Sequence, residues 1–589
     1  LGCALPTQLA AVAAAAAAAL DGRARAAGGV SSFGYSGTIA HAALRGSAVA
    51  SAPRQRRRPA VQGYQRRAFR WLNLEADVTS TEAVRTYATC WHFAPLAATP
   101  STGEATWMLL QQQLAAGSAE HLSCVLVELA SAGGPFPPPF TSPSGVALLL
   151  RASGSVAPRP AGIGAALALV HSLVGCAPSS PLLLLTRGAQ VAAPLCAAAP
   201  ACGAANGGAW GFGRVVRFEH AGLRGQSVDA PACASAAAMG GALASAAAGP
   251  TAAEAEVAWG AASSRHAARL RVCTAASVLE GRPEVASGSY AITGGLGGLG
   301  LRAAALLVGA GVAEVVLASR SGRVARDGQG LAEQLHSLGA CARVAVCDSA
   351  DSSDAKPLWR AESPLTGVLH AAGSGGSGLI RSLEVGRVRL MSAPKAFGSH
   401  HLHCATSGAP LEVRLHCSSV GAGLGNVGQA SYAAANASLD AGARSRRMGW
   451  GLIESSMQWP RVDGAGMGAV PKDVGDVPRE KLASLASFTG MAGIALEEYA
   501  WCLGRQLSRP RSAAVQLVHR SDVDELLQDL ADAAQPRFGE LAAAATHRAA
   551  RGRPGATAWA QPRVGGASAR ELAPRPPGRR SEHVEAAVL

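Results

Sequence analysis

The chain has 589 residues, 49% of them hydrophobic, with 70 glycines and a formal net charge of +14. That length allows about three or four domains with real cores, and a mean hydropathy of +0.17 excludes a wholly disordered chain. The longest charge-free apolar run near the start, residues 9–20, falls short of the roughly twenty residues that cross a bilayer, so no membrane segment is expected.

The 13 cysteines include no Cys-x-x-Cys pair and no Cys/His metal spacing. Together with the lack of a charged-then-apolar leader, this predicts reduced thiols, no metal and an intracellular compartment, the cytoplasm by default. Cys347 and Cys417 read as small apolar fillers. Much of the basic excess lies at 54–58, 66–67 and 537–580, with no aromatic platform interleaved. Nucleic acid is therefore not expected as a partner, whereas an acidic protein would be attracted by the same surface.

In chain order, residues 1–75 are too short for a domain of their own and read as the end of one. Residues 76–275 alternate short apolar strands, at 107–110, 125–127, 146–150 and 182–185, with alanine-rich helical stretches. That is a doubly wound α/β pattern, but it has no phosphate-binding glycine loop. Residues 276–530 repeat the alternation with such a loop present. From 531 to 589 proline, glycine, arginine and alanine dominate, which predicts a disordered linker.

The loop is Tyr290-Ala-Ile-Thr-Gly-Gly-Leu-Gly-Gly-Leu-Gly300, a strand running into glycines and then an apolar helix. Gly294, Gly295, Gly297 and Gly300 would remove Cβ atoms where backbone approaches a pyrophosphate, and the helix start would offer it N–H groups. The second strand, Val315-Val-Leu317, ends in Ser319-Arg320. A cation at that place suits a ribose 2′-phosphate, so NADPH is expected rather than NADH.

Farther along, Ser419 follows an apolar strand, and Tyr432 and Asn436 are four apart, one turn on a helix face. With Lys395 they form a set able to reduce a ketone, Ser419 donating to the developing alkoxide and Tyr432 protonating it. A nearby Lys395 ammonium plus the nicotinamide charge would lower the phenol's pKa, and Asn436 would hold the lysine or a relay water. His400-His-Leu-His403 has no fourth ligand in view and reads as a helix end rather than a zinc site.

On these motifs, residues 290–468 resemble the ketoreductase domain of modular polyketide synthases, a branch of the short-chain dehydrogenase/reductases. Further matching stretches are His370-Ala-Ala-Gly373, Ala393-Pro-Lys395, Ser418-Ser-Val420, Gly428-Gln-Ala-Ser-Tyr432, Leu439-Asp440, Trp459 and Gly466-Met467. In most short-chain reductases the lysine lies four after the tyrosine. In this branch it comes from an earlier helix and asparagine takes the +4 place, as Lys395 and Asn436 do here. The resemblance implies Lys395, Ser419, Tyr432 and Asn436 as the catalytic set. It implies Thr293, Gly294, Gly295, Leu296, Gly297, Gly300, Ser319, Arg320, Asp348, Ala371 and Gly373 around NADPH, with Asp348 at the adenine.

Upstream, Leu182-Leu-Leu-Leu-Thr-Arg187 and Ala209-Trp-Gly-Phe-Gly-Arg214 through Glu219-His220 resemble the truncated, cofactor-free companion subdomain that precedes and stabilises such a reductase. Gly29-Val-Ser-Ser-Phe-Gly34 through His41 resembles the last motif of a ketosynthase, with Ile39 where asparagine normally stands and no nucleophilic cysteine segment. The implied fold is two Rossmann-like subdomains, and the implied reaction is reduction of a β-ketoacyl thioester in polyketide or fatty acid biosynthesis. The acyl chain would ride on the phosphopantetheine arm of an acyl carrier protein, with the other synthase domains as partners; a homodimer through the parent synthase stays open. The alternatives are a catalytically silent docking module and a free-standing dehydrogenase. Gly375-Gly-Ser377 and Leu424 replace the family's two stereochemical markers, so the sequence assigns no alcohol configuration.

Overall fold

The computed structural model describes residues 84–94, 105–112, 122–129, 145–150, 157–174, 181–190, 202–231, 254–260, 264–273, 285–325, 330–358, 365–463, 493–508, 513–519 and 534–550, four positions within 524–530, and the backbone of 27–33 and 39–45. The chain divides into two units, Leu1–Asp77 and Val78–Leu589. In the first, β1 (Ala27–Phe33) and β2 (Ile39–Arg45) form an antiparallel hairpin with His41 opposite Ser31. The ketosynthase-like motif runs along this hairpin, and its 34–38 connection lies outside the described residues.

The second unit is built on one sheet of 15 strands among the described residues. Its later half holds β11 (Ser289–Thr293), β12 (Glu314–Ser319), β13 (Ala342–Val346), β14 (Leu365–His370), β15 (Val413–Ser419), β16 (Glu454–Trp459) and β17 (Val515–His519). These pair in parallel in the order β13-β12-β11-β14-β15-β16-β17. The order reverses between β11 and β14, which opens a crevice at the strands' carboxyl ends. β11 is buried throughout, as an apolar strand covered on both faces must be.

The earlier half holds β3 (Arg85–Phe93), β4 (Ala105–Gln112), β5 (Leu122–Leu129), β6 (Gly145–Leu149), β7 (Leu182–Arg187), β8 (Gln226–Ala230), β9 (Glu256–Trp259) and β10 (Arg265–Val272). Here β4, β6, β7, β8 and β9 run parallel in simple chain order, with no reversal. Two differences from the sequence reading stand out. Residues 107–110 and 125–127 lie in an antiparallel pair, β4 with β5, rather than in strands separated by a helix. β3 pairs antiparallel with both β10 and β17, so the halves share one sheet.

The helix Ala430–Trp450 packs against Gly208–Glu219 from the earlier half. A Cβ at Gly211 would collide with the Ala433 carbonyl and stand 2.9 Å from the Ala437 Cβ, so glycine lets the two axes close up. Ile163, Leu167 and Phe212 of the earlier half share one core with Ile380, Val388, Ala430 and Ala433 of the later half. The expectation of a disordered linker from 531 is corrected for 536–550. Pro536–Phe538 turns into a helix, Gly539–Ala550, and Arg537 is buried against Glu256, so a charge-rich tail segment is held by an internal carboxylate. Residues 551–589 lie outside the described residues. Among the described residues no helix is long and apolar enough to cross a membrane.

Candidate active site

β11 ends at Thr293, the chain turns through Gly294 at φ +66°, and the helix Gly298–Gly309 begins. Its N-cap residue Gly297 makes no side-chain cap bond, so first-turn N–H groups stay available to an anion. The glycines have a cause that the sequence did not show. A Cβ at Gly294 would lie 2.8 Å from the Ala371 backbone, at Gly295 2.7 Å from the Ile292 carbonyl, and at Gly300 2.5 Å from the Gly294 carbonyl. Three of the four are therefore required by the chain's own packing. At Gly297 the nearest atom is 3.2 Å away, which leaves this position as the one whose missing side chain opens space for a ligand.

Beside this turn lies a groove of about 710 Å³, within the range of small-molecule sites. Every expected cofactor residue lines it except Gly295, which is turned against Leu317. Arg320 is exposed at its rim and makes no ion pair among the described residues. Arg323 borders the same groove and was missed from sequence. The signal was Gly322, whose φ of +65° and N–H bond to Ser319 Oγ (3.1 Å) fold the turn that brings both cations to one side. Asp348 is fixed at the rim by accepting the Ala350 N–H at 3.0 Å. Glycine turn, helix start, paired arginines and a fixed carboxylate fit a dinucleotide with an extra phosphate.

Lys395 sits in a π-helical turn, Ala393–Phe397, between two α-helices. Such turns re-aim a side chain, and this one points Lys395 inward, 4% exposed, with Nζ donating to the Cys417 carbonyl at 2.8 Å. Gly373 makes the space, since a Cβ there would stand 2.7 Å from Lys395 Cε. Nζ lies 5.9 Å from the centre of the Tyr432 ring. His370 ties this turn to the cofactor loop, bonding Thr293 Oγ1 at 2.7 Å and the Lys395 carbonyl at 3.0 Å.

Ser419 closes β15 and caps the next helix, accepting the Gly421 N–H at 3.3 Å, which leaves its own proton to donate. Burial pushes the Tyr432 phenol above its ordinary pKa, while hydrogen bonds from Ser419 and Asn436 pull the other way. The sequence had predicted a lowered value. Desolvation is the largest cause. Burial also brings Lys395 down to about 8, against the attraction of Cys417 and Asp440. Asn436 Nδ2 donates to the Tyr432 carbonyl at 2.9 Å rather than gripping Lys395. Lys395, Ser419, Tyr432 and Asn436 thus meet at the carboxyl end of β15, where the helix Ala430–Trp450 begins. Asp440 locks that helix to β16 by accepting from Ser456 and Gln458 at 2.7 and 2.6 Å. Among the described residues no His, Cys, Asp and Glu cluster could hold a metal; His403 instead stacks on Trp450. Gly466 and Met467 lie outside the described residues.

Residues 288–464 match the family model described as "KR domain". Polyketide synthase GfsA of Streptomyces halstedii is 32% identical over 364 residues, covering 59% of this chain and 5% of the synthase. Erythronolide synthase EryA2 of Saccharopolyspora erythraea is 35% identical over 201 residues, covering 32% of this chain and 6% of that one. The chain thus spans only a small part of the curated relatives it matches. An A-type ketoreductase from a modular polyketide synthase superposes with a TM-score of 0.61 at 26% identity, covering 78% of this chain and 98% of that structure. Residues 288–464 thus belong to the KR domain family, and the chain is similar to parts of polyketide synthases and to a solved ketoreductase from one.

Proposed function

We propose that residues 76–530 act as one reductase, with 76–275 as companion and 276–530 as catalytic subdomain. It would convert a β-ketoacyl thioester, carried on the phosphopantetheine arm of an acyl carrier protein, into the β-hydroxyacyl thioester. Residues 1–75 are then the end of a ketosynthase, and other synthase domains are the partners. The observation that supports this most is the meeting of Lys395, Ser419 and Tyr432 beside a groove bordered by Arg320 and Arg323.

When bound in that groove, NADPH supplies the hydride. Arg320 and Arg323 would hold its 2′-phosphate, the N–H groups after Gly297 its pyrophosphate, and Asp348 its adenine end. As charge grows on the ketone oxygen, Ser419 donates a hydrogen bond to it and Tyr432 delivers its proton. The raised phenol pKa keeps that proton loaded at neutral pH. Lys395 over the ring offsets the phenolate that remains, and Asn436 ties the first turn of the helix so that the phenol keeps its direction.

The test is turnover of NADPH with a β-ketoacyl thioester by the full chain. Tyr432→Phe should lose at least about a hundredfold in kcat while binding NADPH as before. A wild type that binds NADPH and reduces no thioester would leave the silent docking module as the correct description.

A further inference from the structure

The companion subdomain reaches the active site through named side chains. Its helix Gly208–Glu219 follows the segment that joins Ser419 to Tyr432. Arg214 donates to the Ala422 carbonyl, the Phe218 ring lies against Gly425, and Glu219 Oε1 accepts the Gly428 N–H at 2.8 Å. At Gly425, where φ is +86°, a Cβ would fall 2.5 Å from Phe218 Cε2, so a side chain is disfavoured beneath the ring by both space and backbone conformation.

The second oxygen of the same carboxylate crosses to the other active-site loop. Glu219 Oε2 accepts the Ile380 N–H at 2.6 Å, and His171 Nε2 bonds the Ile380 carbonyl at 2.6 Å. Against a carbonyl only an N–H can serve, so this nitrogen bears the proton. Both polar main-chain groups of Ile380 are therefore held from the companion side. The two loops also touch, Gly378 N–H donating to the Gly428 carbonyl at 2.8 Å. Gly373 to Gly375, at the start of the first loop, line the cofactor groove.

We propose that Glu219 and His171 are positioning residues: they fix the gap between the 374–380 and 425–429 loops and so help to select which β-ketoacyl chains reach Tyr432. This rests on the reductase reading above. Fold stability alone does not account for the arrangement. Burial pushes the Glu219 carboxyl up to about 7, a cost that an apolar side chain would avoid. The carboxylate is instead placed where its two oxygens can join two separate loops.

The experiment uses the full chain and Glu219→Gln, which replaces one acceptor oxygen by a donor NH₂ and leaves one amide unpaired. Amide hydrogen exchange in both loops should speed up about tenfold. KM for a β-ketoacyl N-acetylcysteamine thioester should rise about tenfold, with kcat and NADPH Kd changed less than about twofold. His171→Phe should shift the same quantities in the same direction by less. Unchanged loop exchange in Glu219→Gln overturns the proposal, as does a rise in KM accompanied by parallel falls in kcat, NADPH affinity and melting temperature, which would mark a purely structural role. A wild type that binds NADPH but reduces no thioester sinks the reductase reading and acyl selection with it. Faster loop exchange would in that case still uphold the clamp.

Discussion

Strands β11 to β17 and strands β4 and β6 to β9 both build parallel sheet flanked by helices, yet they end differently. In the later half the strand order reverses between β11 and β14, and the turn after β11 leaves its N–H groups facing a groove. In the earlier half the order follows the chain, and the turn after β7 is filled from within. Asp229 accepts from the Thr186 hydroxyl at 2.7 Å and from the N–H groups of Ala189 and Gln190 at 2.9 and 2.8 Å. A carboxylate of the chain takes the place that an anionic ligand could have. The difference teaches that a Rossmann-like layer binds a dinucleotide through two conditions beyond its architecture: a reversal in strand order and strand-end amides not already paired.

The most damaging way to probe the pairing of the halves is to fill the contact between them. Gly211→Val places a branched side chain against Ala433 and Ala437, on the helix whose first turn carries Tyr432. We expect a loss of about 3 kcal/mol in stability and a larger loss of reductase rate, because the helix cannot retreat without moving the phenol. Gly309→Ala is the matched control, since a Cβ there meets nothing within 4 Å; it should be neutral or slightly stabilising. Chemical denaturation and turnover of both variants check this, and equal behaviour would break the idea that the companion half supports the site by close packing.

A smaller effect is expected from the groove itself. Arg320→Ala removes a rim cation with no ion pair among the described residues, so stability should hold. NADPH affinity should fall about tenfold to a hundredfold, while that for NADH barely moves. Equal losses for the two cofactors would show that Arg320 does not meet the 2′-phosphate. Arg323→Ala should give a weaker version of the same discrimination.

Much of the catalytic half could be read from local pattern. The glycine turn sits between an apolar strand and a helix, and Tyr432 and Asn436 are one turn apart, because those signals depend only on neighbours in sequence. What escaped was set by distant partners. β3 pairs with β17 more than four hundred residues away, the Gly211 contact depends on a helix at 430–450, and Arg537 finds Glu256 across the chain. None of these leaves a periodic trace. The burial that raises the Tyr432 pKa escaped for the same reason, since it is a property of the assembled fold. The backbone contacts that require glycine at 294, 295 and 300 likewise left no trace in the sequence, since they are made by the folded chain.

The smallest expected effect tests the internal carboxylate that distinguishes the earlier half. Asp229 is 1% exposed, and burial pushes its pKa up to about 6, although Thr186, Gln190 and Ala189 bond it. A carboxyl whose folded pKa is raised binds its proton more tightly folded than unfolded. Stability from this group is therefore full below the ordinary value near 4 and falls as pH rises through about 6. Asp229→Asn cannot titrate, so its urea midpoint should vary less than that of the wild type between about pH 4 and pH 6, even though losing one acceptor lowers it throughout. Parallel pH profiles for the two proteins would mean that the bonds from Thr186, Ala189 and Gln190 fully offset the burial. The strand-end amides of the earlier half would then solvate Asp229 as well as water does, and the two halves would differ in what occupies the turn but not in its capacity to hold an anion.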